Sequence, residues 1–338
     1  MSLLPYFNRV AAGSDLTSEE AHRAMGVLLE GRASDIEIAG FLVALKMKGE
    51  TAVEIAGFAR AMRDRMIVVD AGPDVIDTCG TGGDGSGTFN ISTAVAIVMA
   101  GAGAHVAKHG NRSISSKTGS ADVLEALGVR ITDVSPEEVG RSIREIGIGF
   151  LFAPASHPAM KHAQPVRRTL KIRTVFNLLG PLANPARANA QLIGAPSLET
   201  ARLMAEALAE LGTRRAFVVH GQDGLDEITT TAATDVYEVT SAGVQKHLWK
   251  PSDFGVQTAR LTSLKGGDSS CNAQIIMGII RGSVGPGRDI VLINAAAGLL
   301  ASGLAPDLEG GMELAKRSID SGAAAAKLDQ LQKKFPNT

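Results

Sequence analysis

Residues 80–87 read Gly80-Thr81-Gly82-Gly83-Asp84-Gly85-Ser86-Gly87, five glycines in eight positions. They follow the apolar segment Val75-Ile76-Asp77 and precede an apolar helical pattern from about Ser92 to Ala102. Glycine lets backbone amides turn inward against a ligand, and a helix N-terminus adds positive potential, so the spacing suits phosphate. A flexible surface turn is the competing reading, which the strand before and the helix after disfavour. Gly80, Gly82 and Gly85 also satisfy the dinucleotide pattern G-x-G-x-x-G, but that fingerprint wants an acid about 20 residues on to grip a ribose. No Asp or Glu stands between Asp84 and Asp122. That window carries Lys108, Arg112 and Lys117 with His105 and His109, an electropositive stretch suited to several phosphates. A Walker loop is excluded because no Gly-Lys-Ser/Thr follows.

The loop cannot hold such a ligand alone. A helix terminus contributes about 0.3–1 kcal/mol to an anion, whereas micromolar affinity needs about 8 kcal/mol. Charged side chains or metal ions must supply much of the difference. Asp226-Glu227, closing His220-Gly221-Gln222-Asp223-Gly224-Leu225-Asp226-Glu227, follows a strand pattern and suits Mg²⁺. That ion takes one or two carboxylates, some waters and phosphate oxygens. By spacing alone a solvated turn fits the pair at least as well. Cys79 abuts the loop, but a small buried residue ending a strand explains it better than a nucleophile. His157 and His162 are expected to pack or cap, and His220 receives no chemical role.

The elements that must position these residues fall into two styles. Thr17-x-x-Glu20, Ser34-x-x-Glu37 and Thr51-x-x-Glu54 each match a capping box, which predicts three helices in the first 65 residues. Ala21, Ala24, Met25, Leu28 and Leu29 share one face of the first, as do Ile38, Phe41, Leu42 and Leu45 in the second. Ile55, Phe58, Ala59 and Met62 line the third, and Gly31 and Gly49 sit where helices stop. Three short helices must bury that surface against a second subunit or the rest of the chain. From about residue 75 strands alternate with helices. Strand patterns occur at His105–Ala107, Val129–Ile131, Ile148–Phe152, Ala216–His220 and Val236–Val239, with a helix over Glu199–Leu211. Ser135-Pro136-x-Glu138 is a further capping box. The rhythm predicts an α/β domain with a mostly parallel sheet flanked by helices. The proline- and base-rich segment Pro154–Pro185 breaks it and reads as a crossing between lobes.

Composition narrows the classes. Lys plus Arg total 34 against 35 Asp plus Glu, a formal charge of −1, which disfavours a nucleic-acid partner. No apolar run reaches the roughly 18–20 residues that span a bilayer, and no secretion signal opens the chain, so no membrane is expected. Two cysteines cannot build a disulfide framework, which makes a reducing, cytoplasmic compartment the default.

Several longer motifs then occur in order. They are Gly80-Thr81-Gly82-Gly83-Asp84-Gly85, Asn90-Ile91-Ser92-Thr93, Lys108-His109-Gly110-Asn111-Arg112 and Ser120-Ala121-Asp122-Val123-Leu124-Glu125-Ala126-Leu127-Gly128. His157-Pro158-Ala159-Met160, the run Arg173 to Pro185, Asp226-Glu227 and Lys265-Gly266-Gly267-Asp268 complete the set. Over nearly its whole length the chain resembles anthranilate phosphoribosyltransferase. The resemblance implies a helical domain at 1–70 with a contribution from about 160–185, and a phosphoribosyl pyrophosphate-binding α/β domain at 71–159 and 186–338. It further implies a nucleoside phosphorylase/phosphoribosyltransferase-like architecture, Mg²⁺ with two ions per subunit, and a homodimer formed through the helical domain.

Position by position, the resemblance places Gly80, Gly83, Asp84, Thr88, Asn90, Ser92, Thr93, Lys108, Ser116 and Ser120 on phosphoribosyl pyrophosphate. Anthranilate would meet Asn111 and Arg167, with Gly80, His109, Gly180 and Pro181 as pocket wall. Ser92, Asp226 and Glu227 would hold metal, and Lys108, Asp226 and Glu227 would act catalytically by offsetting charge on the leaving pyrophosphate. The aromatic amine is already neutral at pH 7, so no strong base is required. One departure is Cys271, where the family pattern Gly-Asp-x-x-Glu-Asn-Ala has glutamate; it bears on local packing or capping. A pyrimidine nucleoside phosphorylase is the rival enzyme reading, and a nucleic-acid binder the rival from another class.

Overall fold

A computed structural model describes residues 2–112 and 118–337. Four helices open the chain: α1 (Leu4–Ala11), α2 (Ser18–Leu29), α3 (Asp35–Lys48) and α4 (Ala52–Arg63). The capping boxes at Thr17, Ser34 and Thr51 form reciprocally, each hydroxyl accepting from the backbone of the glutamate three residues on. Helix α1 starts without one, so the capping signal had nothing to report there. Glu54 does more than cap. It is fully buried, where it accepts from Leu16 N–H at 2.9 Å and from Lys48 Nζ at 2.9 Å. That ties α3, α4 and the α1–α2 turn together.

Seven strands form one sheet in the order β3-β2-β1-β4-β5-β6-β7. They are β1 (Ile76–Gly80), β2 (Val106–Gly110), β3 (Ile148–Phe152), β4 (Ala190–Gly194), β5 (Arg215–Gly221), β6 (Thr234–Thr240) and β7 (Gly243–Trp249). The first five pair in parallel; β6 and β7 add antiparallel at one edge. Val129–Ile131 is not a strand: Val129 makes a single bridge to Pro336. Its side chains are buried under the C-terminal helix, which explains the apolar pattern without sheet pairing.

Among the described residues two large cores flank the sheet, with a smaller one of Val69, Val75, Ala107, Val139, Ile143 and Leu151 beside β2 and β3. On one face helix α5 (Ile91–Gly101) is buried all round between the sheet and the helices Pro286–Ser302 and Ala323–Lys334. A helix apolar on every side has no solvent face to offer and must be central. Across the other face, α2–α4 pack with Ala163, Val166, Phe176 and Leu179 and with the helix Leu198–Glu210. The apolar stripes of α2 and α4 are therefore covered by this chain itself: by each other, by the helix Leu198–Glu210 and by the crossing segment. Helix α3 keeps an exposed side, with Ile36 84% and Met47 83% exposed.

Candidate active site

Strand order reverses between β1 and β4, whose onward connections run to opposite sides of the sheet. Ligands in open parallel sheets bind beyond the strand C-termini at such a point. The glycine loop leaves the end of β1 there, and the acidic turn follows β5. In the loop Gly82, Gly83, Gly85 and Gly87 all take positive φ, between 64° and 91°, which side chains rarely adopt. Gly80 and Gly194 are paired across β1 and β4. A methyl group at Gly80 would come 2.9 Å from Asp226 Oδ2, and one at Gly194 only 1.6 Å from the Asp226 carbonyl oxygen. Two strand ends thus lack side chains so that the acidic turn can lie on them.

Asp226 lies beside the Asp84 carboxyl; burial first, then Asp84, pushes it up to about 7. Glu227 lies near the start of α5, and burial followed by the Asp226 charge raises it well above the usual range. Carboxylates crowded in this way are destabilised as anions until a cation joins them. Among the described residues no set of three His, Cys, Asp or Glu side chains closes a cage around an ion. Two raised carboxylates beside a hydroxyl instead fit Mg²⁺, which completes its shell with water and substrate oxygens. Lys108 is buried, donating to Thr78 O at 2.6 Å and Ser92 Oγ at 3.2 Å. Burial lowers its pKa, with Asp77 the main opposing charge.

A cleft of about 630 Å³ opens beside this point. Gly80, His109, Asn111, Arg167, Gly180 and Pro181, the six positions expected around anthranilate, all line it. The Arg167 guanidinium lies 5.2 Å over the Phe176 ring and is shifted down by desolvation. Among the described residues it has no carboxylate partner, unlike Arg112, whose guanidinium is held by Asp122 and Glu125. That pairing, with His105 exposed just before β2, leaves Lys108 as the cation of this stretch at the strand end among the described residues.

Other expected contacts divide. Asp84, Thr88, Asn90 and Ser92 border the loop and the start of α5, and Ser120 Oγ donates to Asn111 O at 3.4 Å. The Thr93 hydroxyl is buried beside Ala96, Ile97 and Lys108, with no hydrogen-bond partner among the described residues. Ser116 and Lys117 lie outside the described residues. Cys79 is half-buried at the cleft wall and packed against the helical-side core, and burial pushes its thiol well up, which disfavours the thiolate. Cys271 leaves the cap of its helix intact, since its N–H reaches Asp268 Oδ1 at 2.8 Å. His162 packs on Gly31, and His220 Nδ1 lies 3.0 Å from Ala195 O.

Sequence reasoning gave no role to three residues that hold the site. Buried Asp77 accepts from His109 N–H at 3.0 Å and from Asn184 Nδ2 at 2.8 Å. Arg173 donates to the carbonyls of Gly82 (2.7 Å) and Thr81 (3.3 Å), clamping the glycine loop from the crossing segment. Contacts across some 90 residues leave no spacing signal.

The His109 and His157 rings lie 5.2 Å apart between centroids, tilted by 51° to each other, each with a buried Nε2 lacking a partner among the described residues. His109 Nδ1 is 3.1 Å from Gly180 O, so that nitrogen donates and Nε2 presents a lone pair. Burial lowers the two to about 3 and about 4. An unfolded histidine binds its proton near pH 6.5, so the unfolded chain gains protons first as pH falls. Their contribution to stability is therefore complete above about pH 6.5 and declines towards pH 4. Urea unfolding should show His109→Gln/His157→Gln with a shallower acid decline than wild type; equal slopes between pH 6.5 and 4.5 would contradict this.

With that geometry in hand, comparison with known proteins is direct. Residues 4–66 match the family described as "Glycosyl transferase family, helical bundle domain", and residues 72–325 the "Glycosyl transferase family, a/b domain". A relative from Solibacter usitatus, anthranilate phosphoribosyltransferase, is 57% identical over 334 residues, covering 98% of both chains. The crystal structure of the Thermus thermophilus enzyme of that name superposes with TM-score 0.92 at 44% identity, covering 97% of this chain and 98% of the other. The Saccharomyces cerevisiae enzyme in complex with PRPP and Mg superposes with TM-score 0.89 at 30% identity, covering 98% and 97%. It has also been solved with 4-fluoroanthranilate.

Proposed function

This chain belongs to the anthranilate phosphoribosyltransferase family, and from that membership we propose how its own residues divide the work. The reaction moves the phosphoribosyl group of phosphoribosyl pyrophosphate onto the amine of anthranilate and releases pyrophosphate, a step of L-tryptophan biosynthesis. Arg167 carries the substrate assignment: a desolvated guanidinium in the cleft wall, stacked on Phe176 and lacking a carboxylate among the described residues. It receives the anthranilate carboxylate through paired hydrogen bonds that lysine cannot reproduce. Asn111 lies beside it, and His109 with Gly180-Pro181 walls the ring.

The diphosphorylated donor lies over the loop, against Gly80, Gly83, Asp84, Thr88, Asn90, Ser92 and Ser120, with Thr93 contributing through its backbone. Asp226, Glu227 and Ser92 hold Mg²⁺, two ions per subunit, as the raised carboxylates favour. The ion, when bound, supplies positive charge to the oxygens of the leaving group. Lys108 fixes Ser92 from below and adds charge that needs no rearrangement during the reaction. Positioning does the rest, since the amine is already neutral. Anthranilate fluorescence should fall on adding phosphoribosyl pyrophosphate with Mg²⁺ and persist without it. Arg167→Ala should raise the KM for anthranilate at least about tenfold, the worth of a charged hydrogen bond. Equal rises for both substrates would argue against direct contact.

The helical domain comprises residues 1–70 with a contribution from about 160–185, and the α/β domain takes 71–159 and 186–338; the core joining α2–α4 to residues 163–183 supports this division. A homodimer through the helical domain is supported by the exposed Ile36 and Met47 and by the apolar groove of Val10, Ala39, Val43 and Met47. Sedimentation should give twice the chain mass, and Met47→Asp should shift it to the monomer; an unchanged dimer would exclude this face. Among the described residues no helix is long and apolar enough to cross a membrane, and Cys79 and Cys271 are both unpaired. The unpaired thiols support a cytoplasmic setting, which cell fractionation would check.

A further inference from the structure

Asn90 stands at the N-cap of α5, where an asparagine side chain ordinarily accepts from the helix's own first amides. Here it makes no such bond. Its Oδ1 accepts from Asn272 Nδ2 at 2.9 Å, and its Nδ2 donates to Thr118 O at 3.2 Å. Asn272, buried in the helix Ser269–Ile280, in turn accepts on Oδ1 from Gly267 N–H at 2.7 Å. Thr118 Oγ1 returns to Gly267 O at 3.2 Å and closes the circuit.

Backbone groups fix the polarity of this chain at both ends. A Gly267 N–H can only donate, so Asn272 must face it with oxygen; a Thr118 carbonyl can only accept, so Asn90 must face it with nitrogen. Neither carboxamide can flip without setting like groups against each other. The same region is stitched by Gly266 N–H to Gly87 O at 2.9 Å and Phe89 N–H to Leu264 O at 3.2 Å. Gly266 has no room for a side chain, since a methyl group there would lie 2.5 Å from Asn272 Oδ1 and 2.7 Å from the Phe89 backbone. The end of the glycine loop, the start of α5 and residue 118 thus share one anchor, more than 180 residues away in sequence from Asn90.

We propose that Asn272 is a positioning residue for the phosphoribosyl donor, acting through Asn90 by holding its carboxamide away from the helix cap and in one orientation. This rests on the reading that the donor lies against Asn90. Asn272→Asp keeps the bond from Gly267 but puts an acceptor against Asn90 Oδ1, so Asn90 must flip and lose Thr118.

Steady-state kinetics of Asn272→Asp, Asn90→Ala and the double variant test the idea, with Asn272→Ser as a milder change should the aspartate not fold. Expected is a KM for phosphoribosyl pyrophosphate raised about tenfold, as for one lost hydrogen bond to a charged ligand. The KM for anthranilate should stay within twofold, and the double variant should match Asn90→Ala alone. A donor KM unchanged in Asn272→Asp and Asn272→Ser, while Asn90→Ala raises it, would overturn the proposal and spare the donor site. Multiplying effects in the double variant, or kcat and both KM values shifting together, would also overturn it. An Asn90→Ala enzyme with normal donor KM would remove the donor reading of Asn90 and the proposal with it.

Discussion

Replacing Asp226 by Asn and Glu227 by Gln together is expected to lower kcat by about a thousandfold or more, the scale of losing preorganised charge at a leaving group. The same variant should be more stable than wild type when both are stripped of metal at pH 8. Burial and the neighbouring Asp84 raise Asp226 to about 7, and burial with the Asp226 charge holds Glu227 well above the usual carboxylate range. An unfolded carboxylic acid ionises near pH 4. A group whose folded pKa lies above its unfolded one costs nothing below that unfolded value, and its cost grows as pH rises towards the folded value. The stability gap between variant and wild type in EDTA should therefore widen from pH 5 to pH 8. Melting curves at the two pH values, set beside kcat against Mg²⁺, read both effects. Near-normal turnover at low Mg²⁺, or a variant that melts below wild type at pH 8, would defeat the metal assignment. Such opposed signs mark carboxylates kept for chemistry at the expense of the fold.

What the sequence disclosed follows the range of its signals. The boxes at Thr17, Ser34, Thr51 and Ser135 are four-residue events, and each formed where it was read. Strands β1, β2, β5 and β6 showed as apolar runs with ends displaced by a few residues, and β3 showed with both ends in place. The miss of β4 cost most, because Ala190–Gly194 is the central partner of both β1 and β5. It follows a proline-broken segment whose helices, Gln164–Leu170 and Phe176–Leu182, span only 7 residues each, and Asn189, Gln191 and Gly194 dilute its apolar run. Strand β7 lies at the edge of the sheet, and its central run Gln245-Lys246-His247 carries no apolar or alternating signal to reveal it. Val129–Ile131 failed in the opposite direction, since burial under a helix and burial in a sheet leave the same three-residue trace. At the site, residue types were legible and pairings were not. Lys108 and Arg112 look alike in sequence; only Asp122 and Glu125, folded back onto Arg112, remove one of them from the ligand.

Gly194→Ala should then be the most damaging single methyl group in the protein for metal use. Gly194 takes no positive φ, so alanine fits its backbone and any effect arises from contact. The added carbon would stand 1.6 Å from the Asp226 carbonyl oxygen and 2.6 Å from its carbon, distances that only movement of the acidic turn can relieve. Overpacking of this kind costs about 1–3 kcal/mol of stability. Displacing the turn should in addition raise the Mg²⁺ concentration for half-maximal rate at least about tenfold, the equivalent of about 1.4 kcal/mol. Gly57→Ala separates the two consequences. Its methyl group would lie 2.4 Å from Ser18 O where α2 and α4 close, far from the acidic turn in the chain and in the other layer. It should lose comparable stability and leave the Mg²⁺ dependence alone. Gly80→Ala should fall between, because its carbon meets the end of the Asp226 side chain at 2.9 Å, and a carboxylate can rotate where a peptide cannot. The order in apparent Mg²⁺ affinity, Gly57→Ala above Gly80→Ala above Gly194→Ala, depends on Asp226 being seated by two bare strand ends. Equal Mg²⁺ curves for all three folded variants would show that the acidic turn holds its place without them.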